Sequence, residues 1–412
     1  MTTPLWGQDK PINLQSAISA ALNNYGELNA LREERGMNEA AITKAELHPN
    51  PVFEAGGSSG ILTGANHENS LYINISQEFI TGGKREKRSR IAQKELDSFD
   101  SRIIDAERLL KLKVKMVYYD LLLANKLYHL AQTVNERNLR LLGITEERLA
   151  NGEVAELDVN LVKVETSRSE GRKIDAEQEM TSAQQQLLLL IGSQPDVNLK
   201  PNDSLDAGVF EKELIDLKKL AIENRPSLKA LKSEAESAKM EVLLAKAERR
   251  PNVTAGLSYS RENSLTSLDG MEEKSTDNLI GLKVSIPLPV FDTNQGGVIQ
   301  ANSRKNSTQS RYIFALKIIE QEVEMAHTRL TSAKKAIELY RAGILPQLEQ
   351  NLTIIEDAYQ LGEVGIIAPI EEQKKFLDVS EKYLMALYNW NTAVAKVEAA
   401  TGLELKKEYG EN

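Results

Sequence analysis

The apolar residues of this chain recur at two periods, and the switch between them divides it into elements. From residue 12 to 24, Ile12, Leu14, Ala17, Ile18, Ala21 and Leu22 step by three and four, the spacing of a short amphipathic helix. A second helix is predicted over 28–47, ended by Pro49 and Pro51, because proline has no amide donor and clashes with the preceding turn. The period then falls to two. Residues 51–61 are rich in Gly and Ser, and over 69–80 Leu71, Ile73, Ile75 and Phe79 alternate with Asn74, Ser76 and Glu78. Alternation of that length, closed by Gly82-Gly83, predicts a strand with one apolar face, set in a membrane or half-buried. From Lys84 to about Ala150 the helical period returns through Ala106, Leu110, Val114, Val117, Leu121, Ala124, Tyr128 and Ala131, as in a coiled-coil seam. That stretch has no proline and only one glycine, Gly143. Its roughly 67 residues would span about 100 Å as one helix.

The whole order is then written again. Gly152-Glu153-Val154 recurs 210 residues later as Gly362-Glu363-Val364, and each copy runs 40 positions to a second glycine, Gly192 or Gly402. Lys44-Ala45-Glu46-Leu47-His48-Pro49-Asn50 returns as Lys246-Ala247-Glu248-Arg249-Arg250-Pro251-Asn252 at an offset of 202, and Leu28-Asn29-Ala30-Leu31 as Leu228-Lys229-Ala230-Leu231 at 200. A period near 200 reads as a duplicated domain and not as a short-repeat solenoid. The predicted boundaries are 1–200 for the first copy and 201–412 for the second, joined by a polar connector containing Pro195-Asp196 and Pro201-Asn202-Asp203. In the second copy helices are expected at 211–224 and 226–249, and strands at 252–262 and 277–291. A long helix is expected over 297–361, kinked by Pro346, and a last one from Pro369 to Gly402. Both Gly152 and Gly362 are read as helical hairpin turns, where glycine supplies positive φ.

Four strands per chain are too few to close a membrane barrel, and lipid does not tolerate open backbone edges. If the strands are in a membrane, several chains must pool them, and three chains would supply twelve. The expected fold is therefore mainly α with a small β part.

Composition narrows the rest. Aromatic content is 5% and charge 27%, which suits long solvated helices. A net charge of −9 argues against nucleic acid, whose phosphates call for clustered Lys and Arg. The one basic cluster, Lys84, Arg85, Lys87, Arg88 and Arg90, has no aromatic interleaving and sits where strand meets helix. There is no cysteine, hence no disulfide, thiolate metal site or lipidated Cys in the sequence given. No apolar run reaches 18 residues, so no membrane-spanning helix is expected. The first residues, Met1 to Trp6, lack a basic segment followed by an apolar core, so the chain is either cytoplasmic or has lost a signal peptide. His48, His67, His129 and His327 are scattered, leaving metal-site geometry unsupported. No nucleophile elbow, phosphate loop or paired acid and base appears, so neither an enzyme nor a cofactor is expected. Two readings remain open on these grounds: a membrane barrel of strands pooled from several chains and a cytoplasmic or periplasmic coiled-coil scaffold.

Several segments now carry a resemblance. Ile344-Leu345-Pro346-Gln347 through Ala358-Tyr359-Gln360-Leu361-Gly362, Arg148-Leu149-Ala150-Asn151-Gly152, and Phe79-Ile80-Thr81-Gly82-Gly83-Lys84-Arg85 resemble the outer-membrane efflux factors related to TolC. Ile286-Pro287-Leu288-Pro289-Val290-Phe291-Asp292-Thr293-Asn294-Gln295-Gly296 is similar to the subgroup serving cobalt–zinc–cadmium efflux. The resemblance implies a homotrimer with a twelve-stranded transmembrane β-barrel in outer-membrane lipid and a long α-helical barrel extending into the periplasm. It implies a passive exit duct that meets a periplasmic membrane-fusion adaptor and an inner-membrane pump, of the RND type in the metal subgroup. Heavy-metal cations are the implied cargo, with drugs, other small molecules or secreted protein as alternatives.

The resemblance also implies site residues. Acids just after the second hairpin form rings that narrow the periplasmic end in relatives, and Glu371 and Glu372 stand at about that place, with Asp158 their counterpart after the first hairpin. Three carboxylates around an axis would attract cations, while acids in a first helical turn also simply favour the helix dipole. The tips, Arg148, Leu149 and Gly152 with Leu361 and Gly362, are the expected adaptor contacts. The second hairpin departs from the family pattern, reading Ile367-Ala368-Pro369 where relatives often carry a Leu-Asp pair, as the first does at Leu157-Asp158.

Overall fold

A computed structural model describes residues 9–65, 67–194, 197–208, 210, 212–268 and 271–404. The N-terminal residues 1–6 and, in the connector, Pro195 and Asp196 lie outside them. The chain divides into two compact units, one of Met1–Glu33, Arg102–Leu228 and Ala315–Asn412, the other of Glu34–Ser101 and Lys229–Phe314. Six strands and ten α-helices are present among the described residues.

The second unit holds a four-stranded antiparallel sheet of β2 (Val52–Ser59), β3 (Asn69–Phe79), β5 (Val253–Leu268) and β6 (Met271–Ser285), in the order β2-β3-β5-β6. Register puts Phe53 opposite Ile75, Ile75 opposite Leu257 and Leu257 opposite Leu282, so these side chains share one face. The other face carries Glu54, Asn74, Ser258 and Gly281 in line. The apolar face is uncovered, and Leu282 is 88% exposed. The last two strands are longer than the alternation implies, and β6 ends at Ser285, not at residue 291. Ser264 pairs with Ser275 and Leu265 with Lys274, so the ladder continues where the side chains no longer alternate. Pro287 and Pro289 lie past its end, as residues that cannot donate to a ladder should.

The strand-to-helix corner of this unit is a polar knot. Lys84 is buried at the start of α4 (Lys84–Ala150), and its Nζ donates to Asn252 Oδ1 at 2.7 Å. Burial pushes its ammonium pKa down. Asn252 Nδ2 donates to Glu78 Oε1 at 2.7 Å, and Thr81 Oγ1 to the Pro251 carbonyl at 2.6 Å. The remaining basic residues are also engaged: Arg85 with His48, Lys87 with the Gly82 and Gly83 carbonyls, Arg88 with Glu248 and Arg90 with Glu86. The cluster is thus a set of corner braces.

The first unit contains α1 (Leu14–Asn24), α2 (Gly26–Glu33), α5 (Glu156–Ile191), α6 (Leu214–Asn224), α9 (Leu345–Gln360) and α10 (Ile367–Thr401). The expected helix over 28–47 is two, because the chain turns once at Glu34 before α3 (Arg35–Glu46), next to the poor helix former Gly36. The helix expected from 226 is α7 (Pro226–Ala247). The kink expected at Pro346 is a separation: α8 (Gln295–Leu339) runs into a π turn, Tyr340–Ile344, and α9 begins at Leu345. The wider turn takes up the break that proline's missing donor makes. Two strands of four residues each are too short to show an alternation. Here β1 (Asp9–Ile12) and β4 (Asn198–Pro201) pair in parallel, fastened by Asp203, which accepts from Leu14 N–H and the buried Tyr118 hydroxyl, both at 2.7 Å. Trp390, Tyr118, Leu121 and Leu187 are fully buried in this unit, and a buried pair, Lys115 with Glu398 at 2.7 Å, ties α4 to α10.

Candidate functional site

The two hairpin turns lie in the first unit and close by the same backbone geometry. Gly152 takes φ +76° and Gly362 φ +81°, in the left-handed region that glycine enters without penalty. At the first turn Gly152 N–H donates to Leu149 O and Glu153 N–H to Arg148 O, both at 2.9 Å. At the second, Gly362 N–H donates to Tyr359 O at 3.1 Å and Glu363 N–H to Ala358 O at 2.9 Å. Each is a Schellman closure, satisfying carbonyls that a helix end leaves without partners.

Below the turns the hairpins are clasped together. Arg148 Nη1 donates to the Tyr359 carbonyl at 2.7 Å, its Nε pairs with Glu153 at 3.1 Å, and its guanidinium lies 4.9 Å from the Tyr359 ring centre. The Tyr359 ring is buried with Leu141, Val162, Ile366 and Ile370, and its hydroxyl meets Thr145 Oγ1 at 2.9 Å. A second link repeats the logic. Glu356 accepts from Arg137 Nη1 and from Gln373 Nε2, each at 3.0 Å, while Arg137 sits 5.6 Å over Phe376. Within the first hairpin, buried Asn135 and Ser169 bond at 2.9 Å. No apolar period along the chain marks any of these links. Arg137, Glu356 and Gln373 stand at ordinary helical positions, and no local spacing signals that they meet.

The three acids singled out from the sequence have different surroundings. Glu371 is 56% exposed, with Lys374 at 3.2 Å. Glu372 is 8% exposed, held by Lys375 at 3.1 Å, and so does not share the open face of its neighbour. Asp158 accepts from the Ala155 N–H at 3.2 Å, the reciprocal half of a capping box. Its carboxylate is spent on the start of α5. Among the tip residues, Arg148 and Leu149 are partly buried, Gly152 and Gly362 are open, and Leu361 is 74% exposed. Farther along, α4, α5 and α10 frame a groove of about 970 Å³ that none of the three acids lines. No cluster of His, Cys, Asp and Glu among the described residues has metal-holding geometry. No helix there is long and apolar enough to cross a membrane.

Comparison with known proteins supplies the context. The family model described as outer membrane efflux protein matches residues 17–193 and again 217–403. The chain belongs to that family. Outer membrane efflux proteins are passive channels and not enzymes, and family members are homotrimers working with adaptors and inner-membrane pumps. Membership puts the chain in the outer membrane with a periplasmic extension. The cobalt-zinc-cadmium resistance protein CzcC of Cupriavidus metallidurans is 22% identical over 392 residues, covering 95% of this chain and 90% of that protein. The fold is shared with CusC (TM-score 0.77, 18% identity, 95% of this chain and 92% of that one). It is shared equally with the open state of the Neisseria gonorrhoeae channel MtrE (TM-score 0.77, 19% identity, 97% and 91%). The mainly helical architecture with four longer strands per chain is that of these outer-membrane efflux channels.

Proposed function

We propose that this efflux protein is the outer-membrane exit duct of a tripartite assembly that exports heavy-metal cations. The observation carrying the cargo is the likeness to CzcC over 95% of the chain; the segment 286–296 adds to it. Three copies would pool four strands each, consistent with a sheet whose apolar face is uncovered and whose edges lipid would not tolerate. The assembly would include a periplasmic membrane-fusion adaptor and an RND-type inner-membrane pump, which supplies the energy. The halves 1–200 and 201–412 would be two structural repeats, in keeping with the family model's two matching segments. The exposed tip residues, Leu361 and Gly362 with Gly152, are the proposed adaptor contacts, and Arg148 and Leu149 would shape that tip from beneath. Glu371, the most exposed of the three acids, is the proposed ring residue, ahead of the buried Glu372 and of Asp158, which caps the start of α5.

The cargo is tested in a host lacking its own duct of this class, supplied with an adaptor and an inner-membrane pump of the cobalt-zinc-cadmium resistance type. Growth in cobalt, zinc and cadmium salts should be restored by the intact chain and lost again without it. Restoration of drug tolerance with no gain against metals would replace the cation reading with the drug alternative. For the ring, planar-bilayer recording of Glu371→Gln should show weaker cation selectivity, and unchanged selectivity would remove Glu371 from the gate.

A further inference from the structure

Among the described residues the sheet has two unpaired edges, the outer sides of β2 and β6. The sequence recurrence says how they meet. Asn69, Leu71, Ile73, Ile75 and Ser76 of β3 recur as Asn278, Ile280, Leu282, Val284 and Ser285 of β6, a constant offset of 209. Pro49-Asn50 ahead of β2 recurs as Pro251-Asn252 ahead of β5, an offset of 202. The contact of β3 with β5 inside one chain is therefore a template for contact of β6 with the β2 of another copy. In the template Ile75 faces Leu257 and Ile73 faces Tyr259.

We propose that β6 of one copy pairs antiparallel with β2 of the next so that Val284 faces Ala55 and Leu282 faces Gly57. This rests on the reading that copies of the chain pool their strands. The faces of the sheet agree with this register and exclude a slip by one residue. Val284 lies on the apolar face through Ala255, and Ala55 lies on it through Ile73, so the pairing joins apolar face to apolar face. A slip of one residue would turn every side chain of the neighbour over.

The same template assigns a role to Asn50. Within the chain Asn252 accepts from Lys84 Nζ and donates to Glu78, locking the corner where α4 begins. Asn50, its recurrent counterpart, is exposed and makes no side-chain hydrogen bond among the described residues. Matched by helix start, Lys84 for α4 and Gln295 for α8, an offset of 211, the counterpart of the 81–84 corner is the segment 292–295. Asn50 of one copy thus locks the 292–295 corner of the next. Helices continue this edge, with Met37 and Leu47 of the α3 region and Ile299 and Phe314 of α8 all exposed in the single chain.

The chain has no cysteine, so paired substitutions report register cleanly. Val284→Cys with Ala55→Cys should cross-link into dimer and trimer ladders under mild oxidant, since facing strand residues fall within disulfide reach. The shifted pair, Leu282→Cys with Ala55→Cys, should give at least tenfold less product. Particle mass in mild detergent is measured on the same samples. A three-chain mass with the shifted pair cross-linking better, or with neither cross-linking, overturns the register and leaves the pooled-strand reading intact. A one-chain mass overturns both. Asn50→Ala should lower the temperature at which the trimer dissociates, and an unchanged temperature removes Asn50 from the corner.

Discussion

The two hairpin turns share a backbone and differ in what holds them. Gly152 and Gly362 close their helices by the same pair of hydrogen bonds. Counting 210 residues on from each side chain of the first turn exposes the divergence. Arg148 falls at Ala358, Leu149 at Tyr359 and Asp158 at Ala368. The first hairpin therefore owns the cap and the arginine, and the second owns the ring. The clasp runs one way only, from Arg148 onto the carbonyl and ring of Tyr359. A tight turn asks only for glycine, so it survives in both places. Joining two hairpins asks for complementary groups, which identical turns could not supply.

The largest break in this comparison comes from the ring. Tyr359→Ala should cost about 3–5 kcal/mol, the range for truncating a buried aromatic, whereas Leu149→Ala, at a partly buried site, should cost less than half as much. Denaturant midpoints in detergent compare the two, and equal losses would mean the hairpins are held symmetrically. Next are the glycines. Placing Ala at either left-handed position costs about 1–2 kcal/mol. Gly362→Ala should cost more than Gly152→Ala, because its Cβ would come within 3.2 Å of Arg148 Nη2 while that of Gly152 meets nothing within 4 Å. Adding Arg148→Ala should erase that surplus in melting temperature; a surplus that persists would place its cause elsewhere. Arg148→Lys keeps the charge but loses the fork and stacking geometry, and should cost about 1 kcal/mol, roughly one net hydrogen bond. A melt indistinguishable from the parent would show that charge alone makes the clasp. The smallest effect belongs to the cap. Asp158→Ala should lose about 1 kcal/mol, making the first hairpin resemble the second, and Ala368→Asp should lose nothing and gain a few tenths from the helix dipole. Helix content by circular dichroism at raised temperature separates these two variants.

What local pattern can say, it said well. The bounds of α4 match the prediction from a glycine pair to the first hairpin, because 67 residues of helical period without proline leave one solution. The strands were found where side chains alternate or Gly and Ser gather, were expected too far at 286–291, and were missed in the β5 and β6 extensions and in β1 and β4. Of the candidate site, the turns and the acids could be named, but not that Glu372 is buried while Glu371 is open. Adjacent residues on a helix point about 100° apart, and only the packing of neighbouring helices decides which direction is inside.

The sequence by itself determined the elements, their recurrence at about 200 residues and the glycines that end the helices, since each follows from backbone sterics and side-chain period over a few residues. Tertiary structure decided the rest. That Arg148 grips Tyr359, that Glu356 gathers Arg137, and that Lys84 is buried on Asn252 are contacts between groups 168 to 219 residues apart. Such contacts depend on how helices and strands pack, and no local period carries that information.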